Sequence, residues 1–172
     1  MIKIDVILDN INWKKYLKNP KDFIEKKVNL LNKKNKSFNK NFFLCSLLLS
    51  DDKKIKKLNW KFRKKKKSTD ILSFPFYKKK DLTKTIKNKK QIYLGDIIIN
   101  LDKIKEKNDN IKFQIEFDKL WLHGLLHLFG YKHLRNKDFK KMNNLEKRYF
   151  KYFKKMFLKI INNRIAILYL IP

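Results

Sequence analysis

The sequence predicts a single-domain α+β fold: a small mixed β-sheet of about four strands, flanked by helices. Three observations carry this. The chain has 172 residues, a length that one hydrophobic core can organise. Segments with strand periodicity are interspersed with segments of helical periodicity. No internal repeat and no Gly- or Pro-rich linker divides them.

The elements follow in order. IKIDVIL (2–8) begins by alternating apolar and charged residues, the pattern of a strand. NPKDFIEKKVNLL (19–31) reads as a helix, with Asn19 as its cap, Pro20 in its first turn and an apolar stripe of Phe23, Ile24, Val28 and Leu31. FFLCSLLL (42–49) is a short apolar run that suits a buried strand. DDKKIKKLNWKF (51–62) starts with acidic residues, which favour a helix N-terminus. DILSFPF (70–76) reads as a strand, and Pro75 assigns it to an edge or a strand end. YKKKDLTKTIKNKKQ (77–91) is polar and lysine-rich, and reads as a mobile loop. YLGDIIIN (93–100) reads as a strand, with a helix following from Leu101. FQIEFDKLWLHGLLHLF (113–129) is apolar enough for a buried helix. Residues 137–163 read as one long amphipathic helix or two, before an apolar end, IAILYLIP.

Composition narrows the function. Lys plus Arg number 45 against 16 acidic residues, a net charge of +29, while hydrophobic residues make up 43%. That combination excludes a disordered polycation and points to a folded binder of polyanions, nucleic acid first. A competing reading exists: Lys, Asn, Ile and Phe all have A/T-rich codons, so base composition alone can inflate lysine. Arginine is correspondingly informative, and only Arg63, Arg135, Arg148 and Arg164 are present. The one cysteine, Cys45, rules out an internal disulfide and a multi-cysteine zinc site, and its apolar surroundings suit a buried thiol. MIKIDVILDN lacks the continuous apolar stretch of a signal peptide, and no apolar run reaches the roughly 18 residues of a membrane span. A cytoplasmic setting is the expectation.

All three histidines and two of the three glycines fall in LHGLLHLFGYKH, 122–133. Random placement would bring three histidines this close on the order of one per cent of the time, well below the rate of spurious short motifs. His123 and His127, four apart on a helix, share one face. Gly130 suits a helix stop, after which His133 can return to the same point. The pattern H-x3-H-x5-H offers three nitrogens to one metal ion. Three protein ligands leave a fourth position open, the mark of a catalytic rather than a structural site. Gly124 within the helix costs about 1 kcal/mol relative to alanine. A packing or close-approach reason is expected there, room beside the metal being one. It also occupies the place of the glutamate in the metalloprotease motif H-E-x-x-H, so that general base is missing. The H-x-E and P-C-x-x-C elements of nucleobase deaminases are absent too.

HGLLHLFGYKH (123–133) closely resembles the signature H-G-x-L-H-L-x-G-Y-D-H of the YbeY family, bacterial rRNA maturation factors regarded as metal-dependent endoribonucleases. LNWKFRKKKKSTDILSFPF (58–76) resembles the family's Leu-Asn, then Arg, then T-D-V-L-S-F-P. LGDIIIN (94–100) resembles L-G-D-I-V-I. The three come in family order over roughly residues 45–150. The chain departs where the family has Asp before the third histidine: here stands Lys132. Any hydrogen bond or charge compensation from that Asp is lost.

The resemblance implies a YbeY-like endoribonuclease domain over 1–155, with 156–172 a C-terminal extension of unclear role. It implies a single-strand endoribonuclease acting in 16S rRNA 3′-end maturation and ribosome quality control. RNA and the small ribosomal subunit are the expected partners, with neither DNA nor a membrane. The expected cofactor is one Zn2+ per chain held by His123, His127 and His133, with Ni2+ possible, since imidazole suits both. Arg63 is the expected catalytic and substrate-binding residue, because its planar fork grips a phosphate and stabilises added charge in the transition state. Lys64 and Lys65 are expected to add phosphate affinity. Asp70 either orients a ligand histidine or orders the turn before its strand. Ser73 is a candidate substrate contact, although a strand hydroxyl is more often structural, and Asp96 is a weaker candidate of the same kind. Two rival readings are a non-catalytic ribosome-assembly factor that binds RNA through its charge around a structural metal, and a metal-dependent hydrolase of a peptide or small molecule, which the high positive charge and the absent glutamate count against.

Overall fold

The computed structural model describes residues 1–133 and 135–168, with 155–168 as backbone alone. Four strands form one mixed sheet: β1 (Ile2–Leu8), β2 (Phe42–Ser50), β3 (Ile71–Pro75) and β4 (Gln91–Asn100). Their spatial order is β1-β2-β4-β3. β1 pairs parallel with β2, β2 parallel with β4, and β3 antiparallel with β4. β3 therefore lies at an edge, where a terminal Pro75 leaves no ladder bond unmade.

The helices are α1 (Pro20–Lys34), α2 (Asp52–Arg63), α3 (Lys79–Asn88), α4 (Asn110–Leu128) and α5 (Asn136–Leu168). α1 starts as its sequence predicts: the Asn19 side chain accepts from the Asp22 N–H, and Pro20 occupies the first turn. Asp51 caps α2 and Asp109 caps α4 in the same way. Alternate residues of β4 point to opposite faces of the sheet. Ile97 and Ile99 join the main core with α1, α4 and α5, while Ile98 packs with Leu72 and Ile55 of α2. α2 thus covers one face and the larger helical layer covers the other.

Two expectations are corrected. Residues 77–91 are not a loop: α3 occupies Lys79–Asn88, burying Leu82 and packing Ile86 one turn later against the core. Two apolar residues among many lysines make a thin stripe, and Lys78 supplies no side-chain cap. The helix expected from Leu101 is only a 3-10 turn, Leu101–Lys103. The next α-helix waits for the Asp109 cap. The segment expected as 137–163 is one helix. Of the proposed C-terminal extension, 156–168 continues α5 as backbone, and 169–172 lie outside the described residues.

A buried ion pair ties the helical layer together. Lys27 of α1, 2% exposed, meets Asp118 of α4, 0% exposed. The Trp121 indole donates to the other carboxylate oxygen at 2.9 Å. The Lys27 ammonium also lies 4.2 Å from the Phe23 ring centroid and 5.0 Å from that of Phe153 on α5. Among the described residues, no helix is long and apolar enough to cross a membrane.

Candidate metal centre

His123 and His127 sit one turn apart on α4 and line one cleft. α4 is otherwise among the most buried elements, with Phe113, Phe117, Trp121 and Leu125 at 0% exposure. Its position is fixed by close approach at Gly124. A Cβ there would lie 2.8 Å from Ile97 Cγ2 and 2.9 Å from Ile71 Cδ1, so the glycine serves packing against β3 and β4 rather than room beside a metal.

The helix stops as its glycine suggests. Gly130 adopts φ +79°, its N–H bonds the His127 carbonyl at 2.9 Å, and the Tyr131 N–H bonds the Leu126 carbonyl at 3.0 Å. The chain turns and brings His133 back. Ring centroids stand 4.5 Å apart for His123–His127, 5.1 Å for His127–His133 and 5.5 Å for His123–His133. One nitrogen from each ring lies within 4.8 Å of the other two, so the three histidines can hold a metal ion.

The outer nitrogens settle the protonation of two rings. His127 Nδ1 lies 2.9 Å from the Tyr131 carbonyl oxygen. That oxygen only accepts, so Nδ1 carries the proton. His123 Nδ1 lies 2.6 Å from Glu146 Oε1, and the carboxylate imposes the same tautomer. In the neutral rings both Nε2 atoms then present lone pairs, and they face each other at 2.9 Å. Opposed lone pairs repel, and a shared cation turns both contacts attractive. Ligands of a tetrahedral zinc ion, at about 2.0–2.1 Å from it, stand about 3.3 Å apart, a small opening from this geometry. Burial, then the neighbouring His123 and His133, holds His127 below the ordinary imidazole pKa, against the pull of its Tyr131 hydrogen bond. The ring is kept in the neutral, ligating form.

His123 and His127 are half-buried and His133 is exposed. They share a cleft of about 820 Å³ with Arg63, Ser73, Phe76 and Lys79. Arg63 ends α2. Immediately after it Lys64 takes the left-handed conformation, φ 56°, and its N–H closes the helix on the Trp60 carbonyl at 3.0 Å. Asn59, 2% exposed, donates to the Lys67 carbonyl at 2.6 Å and pins the following loop. The structure thus brings Arg63 to the histidines' cleft. Lys64 and Lys65 are exposed and are not among the described residues lining it.

Asp70 borders the cleft, but its Oδ1 accepts from Thr69 Oγ1 and the Ile71 N–H, each at 2.9 Å. This is the turn-ordering arrangement. Asp96 accepts from the Tyr93 hydroxyl at 2.6 Å, outside the cleft lining. Lys132 is exposed at the cleft wall. The residue that sequence reasoning missed is Glu146. One signal pointed to it: an acid on the inward face of amphipathic α5, beside the buried Met142 and Tyr149.

Known proteins resemble this chain along most of its length. The family model described as Endoribonuclease YbeY matches residues 8–154. A protein of Pelagibacter ubique named Endoribonuclease YbeY is 44% identical over 156 residues, covering 90% of this chain and 97% of its own. A protein of the same name from Thermodesulfovibrio yellowstonii is 36% identical over 127 residues, covering 72% of this chain and 73% of its own. The solution structure of a Thermotoga maritima protein superposes with a TM-score of 0.55 at 25% identity, over 92% of this chain and 93% of that one.

Proposed function

The chain belongs to the YbeY endoribonuclease family, and from that premise we propose that it hydrolyses phosphodiester bonds in single-stranded RNA at the three-histidine cleft. The observation that carries this reading is the pair of Nε2 atoms 2.9 Å apart, in a cleft shared with His133 and Arg63. His123, His127 and His133 would hold one Zn2+, or Ni2+ in its place. Such an ion lowers the pKa of a bound water and polarises a phosphoryl oxygen.

The chain's own residues supply the rest. Glu146 and the Tyr131 carbonyl hold two imidazoles in the ligating tautomer. Arg63 grips the phosphate and stabilises its growing charge. Lys78 and Lys79 add field at the cleft wall, and Lys64 and Lys65 extend it along the approaching strand. Product ends distinguish two attacks: a 2′,3′-cyclic phosphate signifies the RNA's own 2′-OH, whereas its absence from the first products favours water.

The biological role we assign is 16S rRNA 3′-end maturation and ribosome quality control, in the cytoplasm, on the small ribosomal subunit. Residues 1–155 form the catalytic unit on this reading, and 156–172 an extension.

The test is elemental analysis beside a nuclease assay. Wild type should carry one metal per chain and cleave single-stranded RNA, and His127→Ala should lose both. Arg63→Lys should lower turnover by about 10²-fold while RNA affinity changes little. Full cleavage by His127→Ala would refute the site.

A further inference from the structure

Phe76 is the most exposed large hydrophobic side chain among the described residues, at 65%. It follows the last residue of β3 and lines the cleft together with Tyr77. Its ring centroid lies 4.9 Å from Tyr77 and 5.9 Å from Tyr93, at interplanar angles of 75° and 73°. Both contacts are edge-to-face, so neither tyrosine stacks on it. Leaving a phenyl ring in water forgoes most of the stabilisation that burying it would give. The fold draws little packing from this ring.

The surroundings indicate what the ring meets. Arg63, Lys78 and Lys79 line the same cleft. A ring held in solvent among cations suits a ligand with a flat apolar face joined to an anion, and a nucleobase on its phosphate is that ligand. An apolar protein surface would match the ring but leave Arg63, Lys78, Lys79 and Lys132 with Asp70 as the one carboxylate lining the cleft among the described residues. A base inside a duplex has both faces covered by its neighbours, whereas an unpaired base has a face to offer.

We propose that Phe76 is a base-stacking residue: it takes an unpaired base next to the phosphate at the three-histidine cleft, and so confers preference for single strands. This rests on the RNA-cleaving reading above. It adds a specificity-determining contact to that reading, distinct from the backbone grip of Arg63 and the lysines.

The test uses zinc-loaded protein and fluorescence anisotropy with two nuclease-resistant 2′-O-methyl phosphorothioate oligonucleotides, one bearing bases and one abasic on the same backbone. Wild type should bind the base-bearing strand about 5- to 150-fold more tightly. Phe76→Ala should abolish most of that difference without weakening abasic binding, and Phe76→Trp should restore it. Metal content checks that each variant is folded. A wild-type difference that survives Phe76→Ala, or no difference in wild type, overturns the inference. Failure to bind either strand, or to cleave unmodified RNA, counts instead against the proposed function.

Discussion

The capacity of the three histidines to hold a metal ion depends on which nitrogen of each imidazole holds the proton. Glu146 decides this for His123, and the Tyr131 carbonyl for His127. A carboxylate behind a ligating imidazole also raises the ring's basicity. Glu146→Gln should therefore keep the fold and weaken zinc binding by about 10- to 100-fold, read by competition with a chromophoric chelator. Unchanged affinity would mean that His123 needs no such partner. The three histidines were legible in the sequence because they are scarce and helically spaced. Glu146 was marked only by its place on the apolar face of α5; its partner was hidden, because the contact spans 23 residues and depends on how α5 crosses α4. Cys45 was legible as a core thiol: it is 2% exposed, and burial, helped by Asp96, pushes its pKa up to about 12. It stays protonated and inert at neutral pH.

Helix α4 is the element on which the site is built, and Gly124 sets its distance from the sheet. Alanine there gains about 1 kcal/mol of helix propensity. Its methyl would press on Ile97 and Ile71, side chains of the packed sheet face. Overpacking of that kind costs about 1–3 kcal/mol. Gly124→Ala should therefore be net destabilising in urea unfolding, with weaker metal binding as the histidine pair shifts. A stabilisation near 1 kcal/mol would show that the helix can move away freely. α4 was legible because its apolar density is high and its glycine stop is explicit. α3 was hidden by its polarity rather than by lack of period: Leu82 and Ile86 stand four apart as a helix requires, but lysines dominate the segment and Lys78 supplies no cap. The left-handed turn at Lys64 gave no signal either, because lysine is not a residue that announces positive φ.

Across the whole molecule, a mixed sheet carries α2 on one face and the other main helices on the opposite one, and the cleft opens where α4, β3 and the end of α2 meet. The small mixed sheet was legible in the strands interspersed with helices along one undivided chain, but its order was not. Period-two alternation says which face a residue takes and nothing about which strand lies beside it. The Lys27–Asp118 pair was equally invisible, being 91 residues apart in sequence. Burial pushes Asp118 up to about 6 against the opposing pull of the Lys27 ammonium, and burial lowers Lys27 in turn. Both groups accept that penalty to fix α1 against α4 and so hold the histidine helix in place. The chain carries a net charge of +29, and a polyanion is the partner such an excess suits.

X-ray absorption at the zinc edge tests the central claim most directly, on protein saturated with one equivalent of zinc. Three imidazole nitrogens at about 2.0–2.1 Å and one solvent oxygen are predicted. Fewer than three imidazoles, or a fourth protein ligand closing the site, would contradict the account.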